Sequence, residues 1–170
     1  METKILTKSD FNSKNEFIGD ESILSLDGNL EIAENLKTVY FRFLAIRGYI
    51  LAKTGTGIEA GYGIEAGEGI EAGYGIKAGD GIEAGLAITC KLKLVSGLRI
   101  FAGLCSWQEP TKGEQTITCG LLESGKICFG TLVEKGLPEV EKGITHTLIN
   151  KLVEVKIDGI TYEAKIINQK

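Results

Sequence analysis

The chain has one histidine, two prolines and no CxxC pair in 170 residues. With His146 alone, a three-histidine zinc centre cannot be assembled. His146 also lies in KGITHTLIN, away from the glycine-rich centre, and reads as structural rather than catalytic. There is no GxxxxGKS/T loop to cradle phosphates and no GxSxG elbow to present a nucleophile. No cofactor is expected. No apolar run approaches the ~20 residues of a membrane span. The N-terminus, METKILTKSDFNSKNEF, has neither a signal-peptide core nor a small-residue cleavage pattern. A soluble, cytoplasmic protein with no membrane partner is the expectation. There Cys90, Cys105, Cys119 and Cys128 would be reduced. Their wide spacings, with one histidine to complete a ligand set, read as small structural thiols rather than zinc ligands.

What is abundant is glycine, with 23 residues set against two prolines. Flexible linkers bring serine and proline with their glycine, so this imbalance asks for a regular, turn-rich architecture. Apolar residues at 43% and charged residues at 25% are ordinary for a globular chain and exclude a disordered one. The glycine is periodic. From Gly57 the chain runs GIEAGY, GIEAGE, GIEAGY, GIKAGD, GIEAGL, then degenerates through AITCKL, KLVSGL and RIFAGL. Ile58, Ile64, Ile70, Ile76, Ile82, Ile88, Leu94 and Ile100 hold one six-residue phase. Extended backwards, that phase meets Ala52, Ile46 and Tyr40, which places the start of the architecture ahead of the visible repeat.

A helix is excluded, because apolar residues are not spaced by three and four and two glycines per six residues would cost each copy about 1–2 kcal/mol. In a strand, alternate residues share a face, so Ile58 and Ala60 point inward and Glu59 outward. Glycine at both ends of each short strand would permit the positive φ of a sharp corner. Three such hexads closing one turn would stack residues eighteen apart: Ile58 on Ile76 and Leu94, Ile64 on Ile82 and Ile100, Ile70 on Ile88. The predicted fold is an all-β solenoid, a β-helix with about six residues per face and a small C-terminal β cap.

The expected organisation is an N-terminal segment over residues 1–20, the β-helix over 21–104 and a small β module over 105–170. Residues 21–50 are rich in β-branched, aromatic and leucine residues and read as irregular first coils. GLCSWQEPTKGEQ breaks the period. EQTITCGLLESGKICFGTLVE reads as short strands joined at Glu123-Ser124-Gly125-Lys126, and VEVKIDGITYEAKII as a hairpin turning at Asp158-Gly159. Such a module would cover an open solenoid edge.

Over residues 40–104 the chain resembles hexapeptide-repeat and bactofilin-like β-helix proteins. It departs from the left-handed hexapeptide pattern, which wants a small residue two before each aliphatic, by placing Thr56, Tyr62, Glu68, Tyr74, Asp80 and Leu86 there. The resemblance implies a β-helix. Its acyltransferase branch works through a histidine beside a cleft between subunits, and no histidine falls in the repeat.

The outward and corner positions carry the chemistry: Glu59, Tyr62, Glu65, Glu68, Glu71, Tyr74, Asp80 and Glu83. From Gly57 to Leu86 six carboxylates stand against Lys77, a net of −5, while the whole chain carries −4. The negative charge is concentrated in this belt. With eighteen residues per turn, Glu65 stacks on Glu83, Glu59 meets Lys77, and Tyr62 and Tyr74 fall on different sides. Outward glutamates keep a solenoid soluble. Tyrosines among them are also binding anchors, and an acidic β-helix face can imitate a phosphate backbone. Pentapeptide-repeat gyrase inhibitors are an architectural analogy for such mimicry on a different repeat. A compact acidic chain without enzyme motifs is similar to phage-encoded counter-defence inhibitors of the anti-CRISPR type. That implies a non-catalytic protein whose partner is a host protein that itself binds nucleic acid, with no direct nucleic-acid ligand and with self-association left open. The alternative is a structural or scaffolding β-helix of the bactofilin kind.

Overall fold

A computed structural model describes residues 1–19 and 23–138, together with the two strands Leu152–Ile157 and Ile160–Lys165. The chain divides into two compact units, Met1–Pro138 and Glu139–Lys170. The first unit is a parallel β-helix. In its central coils each Ile-x-Ala triplet forms a three-residue strand with both apolar residues inward, as in Ile64–Ala66, Ile70–Ala72, Ile76–Ala78 and Ile82–Ala84. Three residues of corner follow each strand, so three strands make one turn of eighteen residues.

The stacking is the one the repeat predicts. Ile76 lies between Ile58 and Leu94, Ile82 between Ile64 and Ile100, and Ile88 beneath Ile70, all in parallel register. These eight residues are 0–1% exposed. Each such burial stabilises the fold by about 1.5–3 kcal/mol. Cys90 takes the inward alanine site, pairing with Ala72 and 3% exposed.

Three strand stacks make three faces. The first holds Thr3–Leu6, Asn29–Ile32, Ile50–Ala52, Ile70–Ala72, Ile88–Cys90, Thr116–Cys119 and Thr131–Glu134. The second holds Ile23–Leu26, Phe43–Ile46, Ile64–Ala66 and Ile82–Ala84. The third holds Lys37–Phe41, Thr56–Ala60 and Ile76–Ala78. Below them the long strand Lys93–Ala102 serves both the third and second faces, since Leu94 pairs with Ile76 and Ile100 with Ile82. Leu121–Phe129 follows the same course beneath it.

Four sequence expectations change. The solenoid does begin before the repeat, but in a different phase. Leu44 pairs with Ile64 and Ile50 with Ile70, while Ile46 and Ala52 sit over Ala66 and Ala72 in the alanine row, and Tyr40 is exposed over Glu59. The strand after residues 53–55 begins at Thr56, two residues before Ile58, instead of at the isoleucine as in the central coils, so the phase slips there. Second, residues 1–20 are not a separate segment, because Thr3–Leu6 pairs with Asn29–Ile32. A 3₁₀ turn at Lys8–Asp10 follows, and Phe11 and Phe17 pack against Phe41 with ring centroids 5.8 and 5.5 Å away. Phe17 N–H donates to Tyr40 O, and Tyr40 N–H to Asn15 O, both at 2.9 Å. This covers the strand edge at Tyr40.

Third, the strands over 116–134 add a coil to the solenoid. Ile117 sits beneath Ile88, with the excursion over residues 103–115 looped out between them. Glu123-Ser124-Gly125-Lys126 lies within Leu121–Phe129, whose pairing with Lys93–Ala102 absorbs the irregularity as register shifts.

Fourth, no glycine from Gly57 to Gly85 has positive φ. At several of them glycine is needed because successive coils approach too closely for a side chain. A Cβ at Gly79 would overlap the carbonyl oxygen of Gly61, and one at Gly97 that of Gly79. The second unit contains the expected hairpin, Leu152–Ile157 antiparallel to Ile160–Lys165. Its turn at Asp158-Gly159, and His146, lie outside the described residues. Among the described residues no helix is long and apolar enough to cross a membrane.

Candidate functional site

Because one residue in each triplet points outward, every face carries vertical rows of side chains one coil spacing apart, about 4.8 Å. The eight candidate residues therefore distribute around the prism. Glu59 is on the third face, Glu71 on the first, and Glu65 and Glu83 on the second. Tyr62 and Asp80 stack at the corner between the third and second faces, where Asp80 N–H donates to Tyr62 O at 2.9 Å. Glu68 occupies the corner between the second and first faces, over Leu86, and Tyr74 the corner between the first and third, over Leu92. Tyr62 and Tyr74 are on different corners, as the eighteen-residue turn requires.

Neighbouring cations sort these carboxylates. Glu59 accepts from Lys77 Nζ at 2.8 Å and is neutralised. Glu71 lines a depression of about 630 Å³ on the first face together with Lys53, Lys91 and Lys135, although the Lys53 ammonium is held by Glu31 at 2.8 Å. The second face is different. Glu65 and Glu83 lie directly opposite in register, and among the described residues none of Glu65, Glu68, Asp80 and Glu83 forms an ion pair. A depression of about 210 Å³ gathers Tyr62, Glu65, Asp80 and Glu83 beside Phe43 and Phe101. At its rim the Arg42 guanidinium lies 5.4 Å from the Tyr62 ring centroid, a cation–π contact.

Glu65 feels this crowding. Partial burial first, and the Glu83 carboxylate second, raise its pKa above the ordinary carboxylate value. Its ionised form is thus disfavoured in the folded protein. The corresponding stability is present below the ordinary pKa and is lost as pH rises through the raised one. A cation delivered to this pair would relieve the repulsion.

The sequence reading missed the aromatic half of the face. The outward row continues past Glu83 to Phe101 and then Phe129, the latter 42% exposed. Leu98 on one corner and Trp107 against the other are 61% and 57% exposed. Phe101 was identifiable, since it stands eighteen positions after Glu83 in the same phase. Phe129 was not, because the 103–115 excursion hides its register.

The four cysteines separate by environment. Cys90 and Cys119 are buried, Cys105 is intermediate and Cys128 exposed. Burial, and then neighbouring Cys119, push the Cys90 thiol up to about 12. Among the described residues no group of three His, Cys, Asp or Glu side chains is placed to hold a metal ion. Under native conditions at neutral pH, a thiol-reactive chromophore should titrate Cys128 first. Cys90 and Cys119 should react only after denaturation, because a protonated, buried thiol is a poor nucleophile. Four rapidly reacting thiols in the native protein would contradict the inward placement of both. No family model, curated protein or solved structure matches this chain.

Proposed function

We propose that the protein is a non-catalytic binding protein that sets its second face against a basic surface of a protein partner, of the kind that grips nucleic acid. This is the action of a counter-defence inhibitor of the anti-CRISPR type. The observation that carries the reading is the unpaired couple Glu65 and Glu83 with Asp80 and Tyr62 beside it, while the outward Glu59 of the third face is paired with Lys77. Complementary charge gives such a surface fast association and selectivity for basic partners. The row has only two acidic rungs, with Ala45 above and Phe101 below. Imitation of a long phosphate backbone is therefore less well supported than local docking on a basic patch.

Replacing Glu65, Glu68 and Glu83 together by lysine should leave the melting temperature close to that of the parent, since all three lie outside the core. Proteins captured from host lysate by the parent protein, identified by mass spectrometry, should be basic and nucleic-acid-binding. They should be lost with the triple variant and released as salt rises, because exposed charges are screened within about 8–10 Å at 0.10–0.15 M ionic strength. Capture should also weaken as pH falls through the raised Glu65 pKa, because a cationic partner prefers the ionised form. Retention of the same proteins by the triple variant would sink the proposal.

A scaffolding role draws on one feature, the partial burial of Leu122, Ile127 and Leu132 in the final coil. Sizing separates the two readings: filaments support the scaffold, small discrete particles the inhibitor.

A further inference from the structure

We propose that the occupant of the second face is a basic amphipathic α-helix of the partner, lying along the solenoid axis. The inference rests on the docking reading above and specifies the element that docks. Its basis is the row Glu65, Glu83, Phe101, Phe129, which stands in parallel register down the face, with one bulge just before the Phe101–Phe129 pair.

Four rungs one coil apart lie at about 0, 4.8, 9.6 and 14.4 Å along the axis. Residues i, i+3, i+7 and i+10 of a helix lie at about 0, 4.5, 10.5 and 15 Å on one side, matching every rung to within about 1 Å. An extended segment running the same way presents side chains on one side about every 6.6–6.8 Å and falls out of step at the second rung. The chemistry of the rungs then assigns the helix: lysine or arginine at i and i+3 against Glu65 and Glu83, large apolar residues at i+7 and i+10 against Phe101 and Phe129.

The corners support the same occupant. Leu98 and Trp107 are exposed apolar side chains on opposite flanks of the lower rungs. Leu98 N–H is held by Asp80 O at 2.8 Å, and the Trp107 ring packs at Gly85. They flank the aromatic rungs with further exposed apolar surface, the surroundings in which docking energy concentrates. Arg99 and Lys126, paired across the last two strands, place positive charge beside the lower rungs. A basic residue is therefore unfavourable there, so the polarity of the helix is set with its basic end at Glu65.

The experiment uses the full chain, and its single tryptophan, Trp107, reports occupancy by fluorescence. The probe is a synthetic helical peptide with lysine at i and i+3 and leucine at i+7 and i+10 on an alanine and glutamine background. A second peptide differs only in having one central alanine changed to proline, which breaks the helix. The helical peptide should bind, and the proline peptide at least tenfold more weakly. Glu83→Lys and Phe129→Ser should each weaken binding of the helical peptide at least tenfold. Leu98→Ser serves as a second apolar test at a site too exposed to affect folding. Equal binding of both peptides, or indifference to both Phe129→Ser and Leu98→Ser, would overturn the helix inference. Loss with Glu83→Lys and with salt would in that case leave the acidic docking reading standing. Indifference to Glu83→Lys and to salt would remove both. No binding of the helical peptide up to about 1 mM, a free energy weaker than about −4 kcal/mol, would overturn the inference, and lysate capture would then decide the docking reading separately.

Discussion

Ile70→Asp should abolish cooperative folding of the solenoid. Ile70 is 1% exposed, sits between Ile50 and Ile88 in the first-face row, and is surrounded by aliphatic side chains from the coils above and below. A carboxylate there has no cation to pair with and must either lose its charge or open the coil. Destabilisation beyond about 4–5 kcal/mol is expected, against a total stability of about 5–15 kcal/mol for a domain. Two comparisons make the measurement specific. Ile70→Val, which keeps the apolar character, should cost only about 0.5–1.5 kcal/mol. Glu71→Gln, one residue on and exposed, should change stability by no more than about 0.5 kcal/mol. Thermal and urea unfolding followed by circular dichroism would show the order. A parent-like transition for Ile70→Asp would mean that the isoleucine row faces outward.

A second large effect separates the two glycine positions of a Gly-x-Gly corner, the leading one represented by Gly97 and the trailing one by Gly81. At Gly97 a Cβ would overlap the carbonyl oxygen of Gly79, which is backbone and cannot rotate away. At Gly81 the nearest atom to such a Cβ is the carbonyl oxygen of Arg99, at an ordinary 3.4 Å. Neither glycine has positive φ. Gly97→Ala should therefore force two coils apart, at a cost of about 1–3 kcal/mol. Gly81→Ala should be neutral or stabilising by about 0.4–1 kcal/mol, because alanine restricts the unfolded chain. Gly79→Ala combined with Gly97→Ala acts on one column of contacts, Gly61 over Gly79 over Gly97. Its cost should depart from the sum of the single effects, since the two substitutions share a contact. If all the alanine variants were destabilised equally, glycine would be required for backbone conformation rather than for coil contact.

The glycine result shows where sequence reasoning stopped. A glycine on each side of every strand marks the corners correctly, and their period counts the faces. Whether glycine is required for φ or for space depends on what stands eighteen residues away, a contact that no local pattern contains. The next coil shows the difference, since Ala87, Lys93 and Arg99 occupy trailing glycine positions under Gly69, Gly75 and Gly81.

The binding face divides in the same way. Glu65 over Glu83 and Glu59 beside Lys77 followed from the eighteen-residue turn alone, and both pairings are present. The belt of charge that looks continuous along the chain is wrapped around a prism, so Glu59, Glu71 and Tyr74 leave the face that keeps Tyr62, Glu65, Asp80 and Glu83 together. Of the aromatic rungs beneath them, Phe101 keeps the phase of the repeat, whereas Phe129 comes from a strand on the far side of the 103–115 excursion.

By itself, then, the sequence determined the all-β solenoid, the three faces, the inward isoleucine and alanine rows and the opposition of Glu65 and Glu83, because a strict six-residue period dictates all of these at short range. Only the tertiary structure decided where the solenoid starts and ends, why its corners are glycine and which carboxylates share a surface with Phe101 and Phe129. Those depend on contacts between coils, and a strand lengthened by two residues or a looped-out segment shifts the period without disturbing the stack.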